Sequence, residues 1–302
     1  MATFTAAFAD LLERQEKAIW FRKMTNVVRK REQLFNIVAS DKAYEDRQRV
    51  AGLGRVALKP EGTPVAFDDP VIGTRIRTVH DTFALGWRRT MEMGQDDLFH
   101  VMDRMTEELA DSVLDKQERI AWGLLDDGFA GTTYTGLDGL ALFSTAHTNL
   151  KLGGTQSNML SPAVALGTTG IEAMRTLAKT TTNEEGRYID LKYSTLVIHP
   201  NLEWQAQVLL DTEYEVDSSN NNINTVNRAR SGLSILDVPY LTSETAWSIH
   251  APKSQHSLTI NNRMSPEFDS AGDPDTKDQK FYACFRESAM FSGWRGHWGS
   301  NA

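Results

Sequence analysis

Asp138, Ser144 and His147 are the residue types of a hydrolytic triad, and they fall within ten positions of one another in a stretch dense in Gly, Thr, Ser and Asn. That closeness argues against catalysis, because a triad draws its members from separated elements that fix their geometry. No nucleophile elbow surrounds Ser144. Gly52-Leu53-Gly54-Arg55-Val56-Ala57 matches the glycine-rich dinucleotide pattern, which needs a buried strand before it and a helix after it. Here Arg47 and Arg49 precede it and Pro60 closes it, so the glycines read as permitting a bend or bulge. Asp269, Asp273, Asp275 and Asp278 cluster in a turn, yet their spacing is not that of an EF-hand and no bidentate Glu follows at the right offset. A solvated turn is the plainer reading. The 7 histidines are scattered without a His-Glu-x-x-His pair, Cys284 has no second cysteine, and no glycine loop ends in Gly-Lys-Ser/Thr. The chain reads as one without an active site, a metal or a cofactor. The enzyme alternative is a soluble hydrolase using the loop around His147, which covalent labelling of Ser144 by an activity probe would support.

Composition narrows the classes further. With 302 residues, 40% hydrophobic and 24% charged, the chain can build one large core or two ordinary ones. It has no run of eighteen apolar residues, so no membrane span is expected. The start carries Asp10 and Glu13 and lacks a basic segment ahead of an apolar core, unlike a signal peptide. A single cysteine fits a reducing compartment, and a soluble protein made in the cytoplasm is expected. A net charge of -8 argues against a generally basic nucleic-acid binder.

The element everything else must hang from is Gln95–Gly128. Leu98, Met102, Met105, Leu109, Val113, Ile120 and Leu124 fall three and four apart, with one step spoiled by Gln117, which predicts a helix. Asp96 and Asp97 stand where an N-cap and first-turn acids belong, and Gly128 where a left-handed C-cap belongs. Roughly thirty residues make a rod of about 45 Å.

Before the rod come two segments. Residues 1–38 read as an amphipathic, partly basic arm with Phe4, Phe8, Leu11, Leu12 and Ile19 on one stripe. It packs either on a neighbouring copy or as the first helix of an ordinary domain. Residues 44–59 alternate, with Val50, Val56 and Leu58 opposite Arg47, Arg49 and Arg55. After a turn-rich stretch, residues 71–87 read as a second long strand. A two-stranded ribbon is marginal alone in water, and the rest of its own chain is not an obvious surface for it.

Charge divides unevenly. Residues 42–89 hold nine basic side chains, including Arg47, Arg49, Arg55, Lys59, Arg75 and Arg77, against six acidic ones, a balance of +3. Residues 96–127 hold ten acids, including Asp103, Glu107 and Asp111, against Arg104, Lys116 and Arg119, a balance of -7. A basic ribbon and an acidic rod suggest complementary surfaces meeting between copies; two solvated faces are the bland alternative. Reversal of Arg47, Arg49 and Arg55 to Glu is then expected to impair assembly and leave the monomer folded.

After the rod, residues 129–162 form a long polar connection of a kind that is usually functional or interfacial. Residues 163–250 look like a compact α/β unit: a helix at Ile171, Met174, Leu177 and Ala178, a buried strand ending at Pro200, a helix carrying Trp204, Val208 and Leu209, and a strand in 233–241. Residues 257–262 and 280–294 read as a closing pair of long strands.

Arm, long hairpin, spine helix, α/β unit and returning strands is the element order of the Hong Kong 97-like capsid fold of tailed phages, an α+β architecture. Leu142–Ala146 with His147, and Gly153–Thr155 with Ser157 and Asn158, also resemble the Leu-Phe-Ser-Thr-x-His and Gly-Gly-Thr-x-Ser-Asn runs of Mu-like phage major head subunits. The resemblance in element order covers nearly the whole chain, and the motif about twenty residues. It implies an N-terminal arm (1–43), an extended loop (44–92), a peripheral domain (93–160 with 251–302) and an axial domain (161–250). It implies a virion protein, assembled in the bacterial host cytoplasm as pentamers and hexamers of an icosahedral shell around double-stranded DNA. The extended loop lies over a neighbour's peripheral domain, and scaffolding, portal and decoration proteins are the expected partners.

Two features depart from the pattern. Some relatives carry a long cleaved scaffolding region ahead of the arm, whereas here the arm comes almost at once. Scaffolding is then a separate protein, dispensable, or already removed. Some relatives cross-link a loop lysine to a neighbour's asparagine; Lys59 stands at the ribbon tip, but nothing in the sequence shows the acceptor or the catalytic acid, and a solvated lysine is the plainer reading. An encapsulin-like compartment around a protein cargo is the alternative within the fold. A tail or receptor-binding component, forming one ring or trimer, is the alternative outside it.

Overall fold

Apolar residues two apart, as at Phe281, Ala283 and Phe285, mark a long strand, and the 3.6-residue stripe makes the longest helix. The computed structural model describes residues 3–90, 92–93, 101–214, 223–227, 232–273, 275–276 and 278–302, with the side chains of 3–13 and 101–103 left aside. The N-terminal helix α1 (Thr3–Asn26) leads through the short α2 (Arg31–Leu34) to β1 (Asn36–Ala39). β2 (Tyr44–Ala51) and β3 (Val71–Val79) follow as an antiparallel ribbon, then β4 (Asp81–Arg89) and the spine helix α3 (Val101–Asp126). The polar connection holds only the short pair β5 (His147–Thr148) and β6 (Thr155–Gln156). The remainder is α4 (Thr168–Thr180), β7 (Thr195–Ile198), α5 (Glu203–Asp211), β8 (Ser234–Asp237), β9 (Trp247–His250), β10 (Leu258–Gly272), β11 (Gln279–Phe291) and β12 (His297–Ser300).

Two four-stranded sheets organise these elements. The first, in the order β1-β10-β11-β4, lays Phe281, Ala283 and Phe285 against Leu109, Ala110 and Val113 of the spine helix, with Trp20 of α1 stacked on Phe268 at 5.4 Å. Within β10, Pro266 has no N–H to give the ladder, and the register with β11 shifts between Met264 and Glu267. The second sheet runs β12-β9-β7-β8. Both faces of β7 are covered: Leu196 and Ile198 pack in a core with α4 and α5, and Val197 packs with Trp122 and Leu125 of the spine helix. A strand buried on both faces reads as a continuous apolar run, as Leu-Val-Ile does here.

Several expectations change. The strand expected over 71–87 breaks at His80, which is buried and held by the Ser288 hydroxyl at 3.0 Å. β3 stays in the ribbon, while β4 leaves it to pair with β11. The first strand of the ribbon ends at Ala51, and residues 52–70 contain no strand. β12 pairs with β9 in the second sheet, although the segment 251–302 reads in sequence as belonging with the peripheral strands. Trp204 is 77% exposed, because α5 buries Ala206 and Leu210 instead. The spine helix closes in a 3-10 turn, Asp127–Phe129, that buries Gly128 where a Cβ would sit 3.1 Å from the Phe143 ring. The left-handed residue is Gly131 at φ 64. The N-cap expected at Asp96 and Asp97 lies outside the described residues.

Candidate assembly surface and its root

Alternation in sequence gives the loop between β2 and β3 apolar side chains with nothing to cover them. Val56, Leu58 and Phe67 are 101%, 94% and 94% exposed, and Leu53, Val65 and Ile72 are exposed too. Val56 with Leu58, and Val65 with Phe67, are each two apart, so each leg of an extended chain presents them on one side. Large apolar groups left in water in such number mark an interaction site.

The root of this loop is held firmly, and by its own chain. The buried Arg49 guanidinium meets Glu184 through Nη2 at 2.9 and 2.8 Å and through Nε at 3.0 Å, and it also donates to the Thr148 carbonyl. Glu184 further accepts from Arg295 at 2.9 Å and from the Leu150 amide at 2.7 Å. Burial acts to raise its carboxyl, but the Leu150 amide, Arg295 and Arg49 outweigh it, and Glu184 lies below its ordinary range. Beside it, the Gly52 amide donates to Glu185, and Arg55 donates to the Gly186 carbonyl at 2.6 Å. Lys151 donates to the Gly52 carbonyl, the Asp68 carboxylate and the Asp69 carbonyl at 2.9, 2.6 and 3.0 Å. Thr74 donates to the Leu137 carbonyl. A Cβ on Gly73 would lie 2.9 Å from Leu150, so this glycine lets β3 settle on the connection. The ribbon does have a surface on its own chain, contrary to expectation.

The connection that supplies this surface is tied from within. His147 is fully buried and stacked on Trp294 at 4.6 Å. Its Nδ1 lies 2.5 Å from Asp138 and its Nε2 3.1 Å from Asn158 Oδ1, which also accepts from the Ser144 amide. The Asn158 amide donates to the carbonyls of Leu142 and His297 at 2.7 and 2.9 Å. Burial pushes the Asp138 carboxyl up, but the His147 hydrogen bond and charge prevail and it lies below its ordinary value. Ser144 turns its hydroxyl to the Ala146 amide at 3.2 Å. The histidine nitrogen that a triad would aim at serine is taken by Asn158.

Residues 74–293 match the family model described as phage capsid protein. The chain belongs to this family. Solved structures share the Hong Kong 97-like α+β fold at low identity. A cyanophage P-SCSP1u capsid has TM-score 0.58 and 11% identity over 91% of this chain and 89% of that one. A virus-like particle from Pyrococcus furiosus has TM-score 0.57 and 8% identity over 95% and 98%. The capsid of a native GTA particle has TM-score 0.56 and 11% identity over 90% and 90%. No curated protein matches the chain.

This structural major capsid protein uses most of the expected interface charges internally. Arg49 is spent on Glu184, and Arg75 and Arg77 close on Asp46 of the same ribbon, with Arg77 over the Tyr44 ring at 3.8 Å. On the spine helix, Glu107 and Asp111 pair with Arg22 and Lys23 of α1 at 3.0 Å each. The side chain of Asp103 lies outside those described. Arg47 and Lys59 are exposed and have no partner among the described residues. Reversing Arg49 would therefore set an acid against Glu184 and disturb the monomer, so Arg47 and Lys59 are the cleaner test of charge steering between copies. Sequence reading missed Glu184, Lys151 and Gly73, and named Asn158 only within the Gly-Gly-Thr-x-Ser-Asn run, without its role. The Asn183–Gly186 turn is legible as a turn, but nothing local joins Glu184 to an arginine 135 positions away. Among the described residues, no group of three or more His, Cys, Asp or Glu could hold a metal ion, and no helix is long and apolar enough to cross a membrane.

Proposed function

We propose that this capsid protein closes into pentamers and hexamers that tile an icosahedral shell around double-stranded DNA. In this reading residues 52–70 lie over the peripheral unit of the next copy, so the loop belongs to one subunit at its root and to another at its tip. The observation that carries it is the run of uncovered apolar side chains from Leu53 to Ile72 on a rooted loop. Burial of these groups provides the cohesion. Exposed ion pairs add about 1 kcal/mol or less each, multiplied around closed rings. Arg47 and Lys59 are the basic candidates, with Asp103 as a candidate acid. The division into arm, extended loop, peripheral unit and axial unit follows the same reading, with β4 joined to the peripheral sheet and β12 to the axial one.

A chain of net charge -8 does not condense DNA by releasing counterions, so filling must be driven from outside through a portal. Scaffolding and decoration proteins complete the expected set of partners, and assembly takes place in the host cytoplasm. The subunit works by assembly and not by catalysis. Negative-stain electron microscopy of the purified protein, with and without co-expressed head genes, tests this reading. Closed shells or capsomer rings are expected, with nuclease-protected DNA inside closed shells only where the co-expressed head genes supply the portal and its motor. A small monomer under every condition would overturn it, and shells holding a protein cargo without nucleic acid would replace DNA enclosure with a compartment role.

A further inference from the structure

We propose that Glu184 is the centre of a two-stage latch that fixes the direction in which the extended loop leaves its own subunit and makes that direction follow the junction between the two sheets. The consequence for shells rests on the function proposed above; the latch itself is a property of the single chain. Three parts of the molecule converge on one carboxylate. Arg49 brings the root of the ribbon, the Leu150 amide brings the connection after the spine helix, and Arg295 brings the segment between β11 and β12. That segment is where the chain passes from the first sheet to the second. Any change of angle between the sheets moves Arg295, and through Glu184 it moves Arg49.

The two stages differ in exposure. The inner stage, Arg49 with Glu184 and Arg295, has side chains 10%, 13% and 17% exposed, so salt screens it little. The outer stage, Lys151 with Asp68, is 18% and 46% exposed and lies within reach of screening. Lys151 also holds the backbone at Gly52 and Asp69, where the two legs leave the root. Releasing the outer stage frees residues 56–67 while Arg55 stays on the Gly186 carbonyl, and leaves β2 and β3 undisturbed. Releasing the inner stage lets the ribbon itself swing. The glycine at 186, at φ 77, turns the backbone so that its carbonyl reaches Arg55 while Leu152 packs beneath it.

Amide hydrogen exchange on the unassembled subunit tests the latch. Glu184→Gln is expected to raise exchange at residues 48–52 by about tenfold through easier local opening, while β10 and β11 keep their protection. Lys151→Met is expected to raise exchange only around 52–55 and 68–71. Wild-type protein at 1 M NaCl, where the screening length is about 3 Å, is expected to match it. If Glu184→Gln does not fold, Arg49→Gln leaves Glu184 its Arg295 partner and gives the same readout. Wild-type exchange at 48–52 in a folded Glu184 or Arg49 variant would overturn the latch. Microscopy of the same samples keeps the two proposals apart. Wild-type protein that forms no shells yet shows the exchange pattern overturns the shell reading alone, and wild-type shells without the exchange pattern overturn the latch alone.

Discussion

Gln117 is the one flaw in the apolar stripe of the spine helix, and the structure gives its reason. It is 1% exposed and donates to Glu287 at 3.2 Å, beside Arg31, which meets the same carboxylate at 3.1 Å. Burial raises the Glu287 carboxyl against the pull of Arg31. Removing one partner of a buried pair is costly because the other charge stays behind, about 3–5 kcal/mol, whereas apolar replacement of both is often neutral. Glu287→Leu is therefore expected to lower the urea midpoint sharply, and Arg31→Met with Glu287→Leu to recover most of the loss. A double variant as unstable as the single one would show that the pair is needed as a pair. Ser144 makes the opposite case. Among the described residues its hydroxyl meets the Ala146 amide alone, so Ser144→Ala is expected to cost about 1 kcal/mol or less and to leave shell formation intact. Loss of shells in that variant would reopen the loop as a working site.

At the scale of elements, what could be read in the sequence was what local periodicity sets. The spine helix and α4 each bury a regular stripe, β7 is a short apolar run covered on both faces, and β11 alternates at its start, and each is legible. β10 is legible only over 257–262, since residues 266–272 read as part of a turn and are strand paired with β11. The break at His80 is not legible, because residues 71–79 and 81–89 carry the same kind of alternation and differ only in partner, Tyr44–Ala51 for one and β11 for the other. Strands of four residues such as β1 and β12 show too little pattern, and their place comes from pairing with distant chain. Residues 52–58 read as strand because their alternation is real, yet among the described residues no strand pairs with them, and the subunit holds them only at Gly52 to Arg55. This gives a clean separation of folding from assembly. Replacing residues 53–67 with a short Gly-Ser linker removes exposed side chains and no core, so the melting temperature of the subunit is expected to stay within a few degrees. Shells are expected to disappear in microscopy of the same preparation. Shells formed without the loop would show that cohesion between copies lies elsewhere.

At the scale of the whole molecule, acid sensitivity is expected at the junction of β9 and β12 in the second sheet. His250 on β9 and His297 on β12 are both fully buried, with their Nδ1 atoms 2.8 Å apart, and His250 Nε2 meets the Ser248 hydroxyl at 2.8 Å. His297 Nε2 has no partner among the described residues. One proton between the two Nδ1 atoms pairs them when His297 donates it and His250 gives its other N–H to Ser248. A further proton has only His297 Nε2 to go to, where nothing accepts from it. Burial accordingly lowers His250 to about 3, His297 well below its ordinary value, and His256, whose ring lies 5.0 Å from His297, to about 4. Histidines depressed in the folded state stabilise it fully above their unfolded value near 6.5, and that stability is lost as pH falls below it. Each costs on the order of 1.4 kcal/mol per pH unit across that window. Asp138 and Glu184, whose carboxyls lie below their ordinary values of 3.8 and 4.5, weaken the fold only below those values, so above about pH 4.5 the decline belongs to the histidines. Urea unfolding of the unassembled subunit is expected to show constant stability from pH 8 to 7 and a steep decline from about 6 to 4.5. His297→Phe is expected to flatten that decline, since Phe has no nitrogen to protonate and leaves His250 its bond to Ser248. A wild-type curve flat down to pH 4.5 would mean that the junction opens to water and holds its protons without strain, and the packing of β12 against β9 would then have to be looser than its buried histidines indicate.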